Sequence, residues 1–105
     1  MSDPNPAPAS PALSLKQTAQ LLSDQARWIA LRELAKGEAL PVQELAARAG
    51  RSREAMSKHM IFMRRLGMVV TSYGGHYKLA PALRPAPGAT TIDLGHGLIR
   101  LDAPA

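Results

Sequence analysis

The chain has 105 residues, with 13 Lys and Arg against 8 Asp and Glu, and so carries a formal charge of +5 at pH 7; its pI is near 10.3. That length holds one domain with one modest core, and the basic balance favours anionic partners. The absence of Cys excludes disulfides and thiolate metal sites. No apolar run approaches the roughly 20 residues that span a bilayer, and the N-terminus has neither the basic start nor the apolar core of a secretion signal. The expectation is a soluble, cytoplasmic protein with no membrane partner.

Residues 1–12 place Pro4, Pro6, Pro8 and Pro11 among small and polar residues. Such a stretch buries nothing, and a disordered Pro-rich tail is expected there. Helical periodicity begins at LSLKQTAQLL, where Ser14 is the expected N-cap and Leu15, Ala19 and Leu22 share a face. In SDQARWIALRELAKG, Ser23 or Asp24 caps a second helix with Trp28, Leu31, Leu34 and Ala35 as its apolar stripe and Gly37 as its stop. Pro41 fits the first turn of a short helix, PVQELAARAG, ending at Gly50. A tight turn then leads to SREAMSKHMIFMRRLG, N-capped by Ser52.

Beyond Gly67 the period changes. Met68–Ser72 and His76–Leu79 flank Gly74-Gly75 as a β-hairpin. ALRPAPGAT reads as an extended connector, and TIDLGHGLIRL as a last β-prone strand weakened by Gly95 and Gly97. A short helix, a tight Gly-containing turn and a longer basic helix form a helix-turn-helix pattern, and the hairpin after it supplies a wing.

The residues that carry this pattern resemble the ArsR-type winged-helix transcription regulators. Ser23 to Trp28, then Leu31, Leu34, Ala35 and Gly37, are similar to that family's opening helix. Val42, Glu44-Leu45-Ala46 and Gly50 continue the match, as do Ser52, Met56-Ser57-Lys58-His59-Met60, Met63-Arg64 and Gly67-Met68-Val69. The resemblance covers about Leu15 to Leu79 and implies a DNA-binding homodimer, often a repressor released by a ligand. Metal-sensing members carry Cys on the short helix, where this chain has Pro41 to Leu45 without one. Others bind metal through a C-terminal dimerising helix, replaced here by a Pro-interrupted, strand-like tail.

The basic helix is the centre of the functional argument. With Met56 at the middle of the buried face, Met60 and Met63 flank it, and His59 and Leu66 lie close by. Arg53, Glu54, Ser57, Lys58, Ile61, Arg64 and Arg65 then project outward. Between Arg48 and Arg65 there are six basic residues (Arg48, Arg51, Arg53, Lys58, Arg64, Arg65) and one acid, Glu54. A solvated helix interleaves acids four residues away to make pairs, whereas this density of like charge suits a polyanion.

Residues near the start of a recognition helix reach base edges, and later ones meet phosphates. Arg53, Ser57 and Lys58 are the readout candidates, while Arg51, Arg64 and Arg65 suit backbone positioning. Ile61 either touches a thymine methyl or covers a neighbouring loop. His59 is either a packed structural imidazole or a DNA contact. On the wing, Tyr73, His76 and Lys78 either touch phosphates or simply close a turn. Ser52 completes the candidate set.

Asp93 and His96 invite a metal reading, but ligand sets need three or four converging groups, and only His76 and His96 are imidazoles outside the helix. No metal, cofactor or catalytic site is expected. Residues 1–12 are thus read as the tail, 13–80 as a winged helix-turn-helix domain, and 81–105 as a connector with a dimerising strand-like arm. The expected function is sequence-specific double-stranded DNA binding by a homodimeric regulator that inserts the 52–66 helix into the major groove. It would act in the cytoplasm and associate with the nucleoid when bound. The alternative is a winged-helix module that binds protein.

Overall fold

Local capping sets the helix starts in the computed structural model, which describes residues 13–102. The Pro-rich tail lies outside the described residues. Ser14 accepts from the Gln17 N–H while the Gln17 side chain accepts from the Ser14 N–H, a capping box that opens α1 (Leu15–Leu22). Asp24 caps α2 (Gln25–Leu34) through the Ala26 N–H. Pro41 stands one position before α3 (Val42–Ala49), as its N-cap rather than inside its first turn. Ser52 caps α4 (Arg53–Arg65) by accepting from the Ala55 N–H at 3.1 Å.

The wing is β1 (Val69–Thr71) paired antiparallel with β2 (Tyr77–Leu79), closed by a 3-10 turn over Tyr73–Gly75. At the turn each strand is one residue shorter than the alternation predicts, because Ser72 and His76 are used there, with Ser72 N–H and Oγ both donating to the His76 carbonyl. Leu40, just before α3, exchanges both backbone hydrogen bonds with Tyr77 at 3.0 and 2.8 Å. That bridge ties the wing to the connection between α2 and α3.

Met56, Met60 and Met63 are fully buried, as the periodicity of α4 predicts. They pack with Leu31, Leu34, Leu45, Met68 and Leu79 in one core. Flexible thioether side chains fill the irregular space where helices meet the wing, and each burial of this kind contributes about 1.5–3 kcal/mol. On α1 the buried residues are Thr18 and Leu21, so Leu15, Ala19 and Leu22 form an exposed apolar stripe instead of a core face.

The tail differs most from its reading as one strand. It is β in character, but it folds as a second hairpin, β3 (Thr91–Asp93) with β4 (Leu98–Arg100). Asp93 Oδ1 accepts from the Gly95 N–H at 2.8 Å, and Gly95 has φ +94°. Gly95 therefore makes the turn rather than weakening a strand, since that φ strains any residue with a Cβ. A single strand would put Ile92 and Ile99 on opposite faces. In the hairpin they sit opposite each other and are buried with Leu94 in the domain core.

One polar cluster sets α4 against α1 and α2. Arg27 on α2 donates to the Leu21 carbonyl at 2.9 Å, the Gln20 carbonyl and Ser23 Oγ, and also to His59 Nδ1 at 2.9 Å. Its guanidinium lies 4.9 Å from the Phe62 ring centroid. Because Nδ1 accepts, the His59 proton is on Nε2, which faces Asp24 Oδ2 at 3.5 Å. Burial lowers the His59 pKa below its usual 6.5; Asp24 opposes the shift, and Arg27 and Arg51 reinforce it.

A depressed folded-state pKa makes the unfolded chain take up protons first, so stability is lost as pH falls through the unfolded value of about 6.5. Urea unfolding followed from pH 7.5 to 5.0 is expected to show a falling midpoint below about pH 6.5. His59→Gln, which keeps an acceptor for Arg27 but does not titrate, should flatten that slope. An unaltered slope in the variant would assign the pH dependence to other groups.

Candidate nucleic-acid interface

The turn between α3 and α4 is short because Gly50 adopts the left-handed conformation, φ 66° and ψ 36°. Its geometry lets both the Gly50 and Arg51 N–H groups return to the end of α3, the latter to the Ala46 carbonyl at 3.0 Å. The chain then reverses into the Ser52 cap. Burial of Leu45, Ala46 and Ala49 on α3 and of the Met stripe on α4 holds the pair together and leaves the opposite side of α4 in solvent.

On that side, Arg53, Glu54, Lys58, Ile61, Arg64 and Arg65 are exposed and Ser57 is half-buried. Arg53, Glu54, Ser57 and Lys58 line one shallow cleft. Among the described residues, none of the α4 cations Arg53, Lys58, Arg64 and Arg65 has an ion-pair or hydrogen-bond partner. Four unpaired cations against the single acid Glu54 leave the helix face strongly positive.

Two of the six basic residues counted in the sequence are differently employed. Arg48 pairs with Glu33 at 2.8 Å, Glu44 at 3.0 Å and, at 4.0 Å, Glu38. Its bonds to Glu44 and Glu33 raise its pKa. Burial alone would raise the Glu33 carboxyl, but hydrogen bonds from Lys36 and Arg48 hold it below its ordinary value. Arg51 reaches Asp24 at 3.4 Å. The Asp24 carboxyl is lowered first by the Ala26 N–H it accepts, then by His59, Arg51 and Arg27 against a burial penalty.

His59 is turned to the inner shoulder of α4, with 17 % side-chain exposure and both ring nitrogens facing protein groups. The Ser52 hydroxyl oxygen is engaged as the cap acceptor, although the residue is exposed. At the wing tip Tyr73 is 99 % exposed, while His76 and Lys78 are half-buried. The arrangement brings the α4 cations onto one surface. Sequence reasoning missed the acid cluster around Arg48 and the Arg27 bonds. The Glu44–Arg48 spacing of four on α3 was the available signal for the first.

No family model matches the chain, and no curated protein does. Among solved structures the chain is similar to the cadmium metal-sensor CMTR from Mycobacterium tuberculosis, determined by NMR. The two are 36 % identical and superpose with a TM-score of 0.51 over 63 % of this chain and 71 % of that one. The four helices and the small antiparallel wing accord with that likeness. The chain belongs to the ArsR-type family of winged helix-turn-helix regulators.

Proposed function

We propose that the protein is a sequence-specific, double-stranded DNA-binding transcription regulator, not an enzyme, acting in the cytoplasm as a homodimer. The unpaired cations on the outer face of α4 carry this reading. A helix fits the major groove, where Arg and Lys pair with guanine acceptors. Arg53, Ser57 and Lys58, in the first half of α4, read bases. Arg64 and Arg65, with Arg51 and Ser52 at the turn, hold phosphates, and Tyr73, His76 and Lys78 add contacts from the wing.

The solved neighbour is a cadmium metal-sensor. Cadmium is a soft ion that favours thiolates, and this sequence has no Cys. Among the described residues no group of three His, Cys, Asp or Glu converges. The residues present do not fit that metal, and the proposal carries over DNA binding alone.

The second copy is placed on the exposed apolar stripe of α1. Leu15 is 65 % and Leu98 62 % exposed, and Leu22, Trp28, Leu98 and Ile99 line a groove between α1, α2 and β4. A two-fold pairing there would cover these groups, and a dimeric reader needs its two α4 helices about one DNA turn apart, roughly 34–36 Å.

Lys58→Ala and Arg53→Ala are expected to fold normally and to lose about 1–3 kcal/mol of specific binding each, measured by gel shift on a selected site. Parent affinity in both variants would remove α4 as the reader. The affinity of the parent should fall by roughly 10³–10⁵ between 50 and 200 mM salt, as for about 6–10 phosphate contacts per dimer. A nearly flat dependence would favour the protein-binding alternative. Truncating the tail would strip Ile92, Leu94 and Ile99 from the core, so surface changes test the dimer more cleanly. Leu22→Asp combined with Leu98→Asp should sediment as a folded monomer with weakened DNA binding; an unchanged dimer would place the interface elsewhere.

A further inference from the structure

The strongest feature outside the α4 face lies between the C-terminal end of α2 and the 85–89 connector. A cavity of about 430 Å³ opens there, with Arg32 and Lys36 on the α2 side and Pro85, Pro87, Gly88 and Leu101 among its other walls. A second cavity of about 330 Å³ shares Ala35, Gly37 and Pro85 with it and adds Lys78 and Arg84. None of the residues lining either cavity is acidic. The volumes fall in the range of small-molecule sites.

Arg32 is the informative residue. Among the described residues it is in no ion pair, and its Nε is buried without any hydrogen-bond partner. Its guanidinium is instead laid over the Trp28 ring, 4.9 Å from the centroid. Buried donors are almost always satisfied, by protein or by water, so the orphaned Nε marks Arg32 as a guanidinium whose bonding capacity the protein leaves unused. The other cations of this region have partial employment: Arg84 donates to the Leu79 carbonyl at 3.1 Å, and Lys36 to Glu33 at 3.1 Å. The guanidinium of Arg32 rests on Trp28 and borders the cavity, with no carboxylate of its own, whereas Lys36 is shared with Glu33.

We propose that this cavity binds a small organic carboxylate, which nothing in the DNA-reading role requires. The planar fork of Arg32 matches a carboxylate in two parallel hydrogen bonds, and Lys36, shared with Glu33, lines the same cavity. Ala35, Pro85, Pro87 and Leu101 make the remainder of the wall apolar, so a carboxylate bearing a ring or short chain fits better than a bare inorganic anion. Pro85 and Pro87 restrict the connector, which lowers the cost of ordering the site. A ligand held there bridges α2 to the segment that leads into β3 and β4. The site is distinct from Arg53, Ser57 and Lys58 on α4, so its test is independent of DNA binding.

The full-length ¹⁵N-labelled protein is titrated separately with benzoate, phenylacetate, hexanoate and inorganic phosphate at constant ionic strength. Saturable amide shifts are expected at Arg32, Lys36, Gly88, Ala89 and Leu101 with at least one carboxylate, and weaker or unsaturable shifts with phosphate. Arg32→Gln should weaken that binding about tenfold or more, as expected for a lost charged hydrogen-bond pair. Lys36→Gln, at an exposed position that tolerates change, should weaken it less. Arg32→Gln should retain the parent's DNA affinity without added carboxylate. The proposal is overturned if no carboxylate gives saturable shifts at these amides, or if phosphate binds equally well. It is also overturned if neither substitution alters binding, or if Arg32→Gln loses DNA affinity, which would make the groove a phosphate contact.

Discussion

The guanidinium of Arg27 is the interaction on which the placement of the reading helix depends. It closes the C-terminal end of α1 by donating to the Leu21 carbonyl and to the Gln20 carbonyl, the latter shared with the Ser23 N–H and Oγ. The same group reaches across to His59 on α4 and lies over Phe62. One side chain thus ties three helices together through charge-assisted hydrogen bonds, of which those to Leu21 and His59 are part-buried. Asp24 adds a second strut, since it caps α2 while facing His59 and Arg51. Apolar packing of the Met stripe supplies more of the stability, but it is less directional. The polar cluster decides how α4 is held over that core.

Charge is segregated rather than merely abundant. Arg48 is absorbed by Glu33, Glu38 and Glu44 on the side of α2 and α3, which stabilises the scaffold. Among the described residues the cations of α4 have no ion-pair partner, and they are exposed. Exposed like charges on one helix repel one another, and the cost is tolerated where a polyanion is the partner. A buried hydrophobic face on one side and an unpaired basic face on the other are consequences of the same 3.6-residue period.

The C-terminal hairpin gives this chain a tail unlike the dimerising helix that the family resemblance implies. By burying Ile92, Leu94 and Ile99 it completes the core of its own domain. In doing so it leaves Leu98 outside, near the exposed edge of α1, and it carries the connector past Arg32. The apolar groove and the basic cavity both result from packing this segment against α2.

The sequence by itself determined the helices, the Ser14 and Ser52 caps, the wing and the buried Met stripe, because each depends on local spacing and on short-range hydrogen bonds. Ser14, Asp24, Ser52 and Gly50 act within a few residues of where they stand. The outward set on α4 was equally legible, since one helical period fixes both faces. Only the tertiary structure decided which cations are free: Arg48 lies 15 residues from Glu33, and Arg51 lies 27 from Asp24. It also decided that Leu15, Ala19 and Leu22 face outward, because α1 meets the core through Thr18 and Leu21. The fold of the tail was hidden for the same reason. Gly95 and Gly97 are compatible with a weak strand or a turn, and the choice falls to the hairpin that buries Ile92 opposite Ile99 against distant parts of the chain.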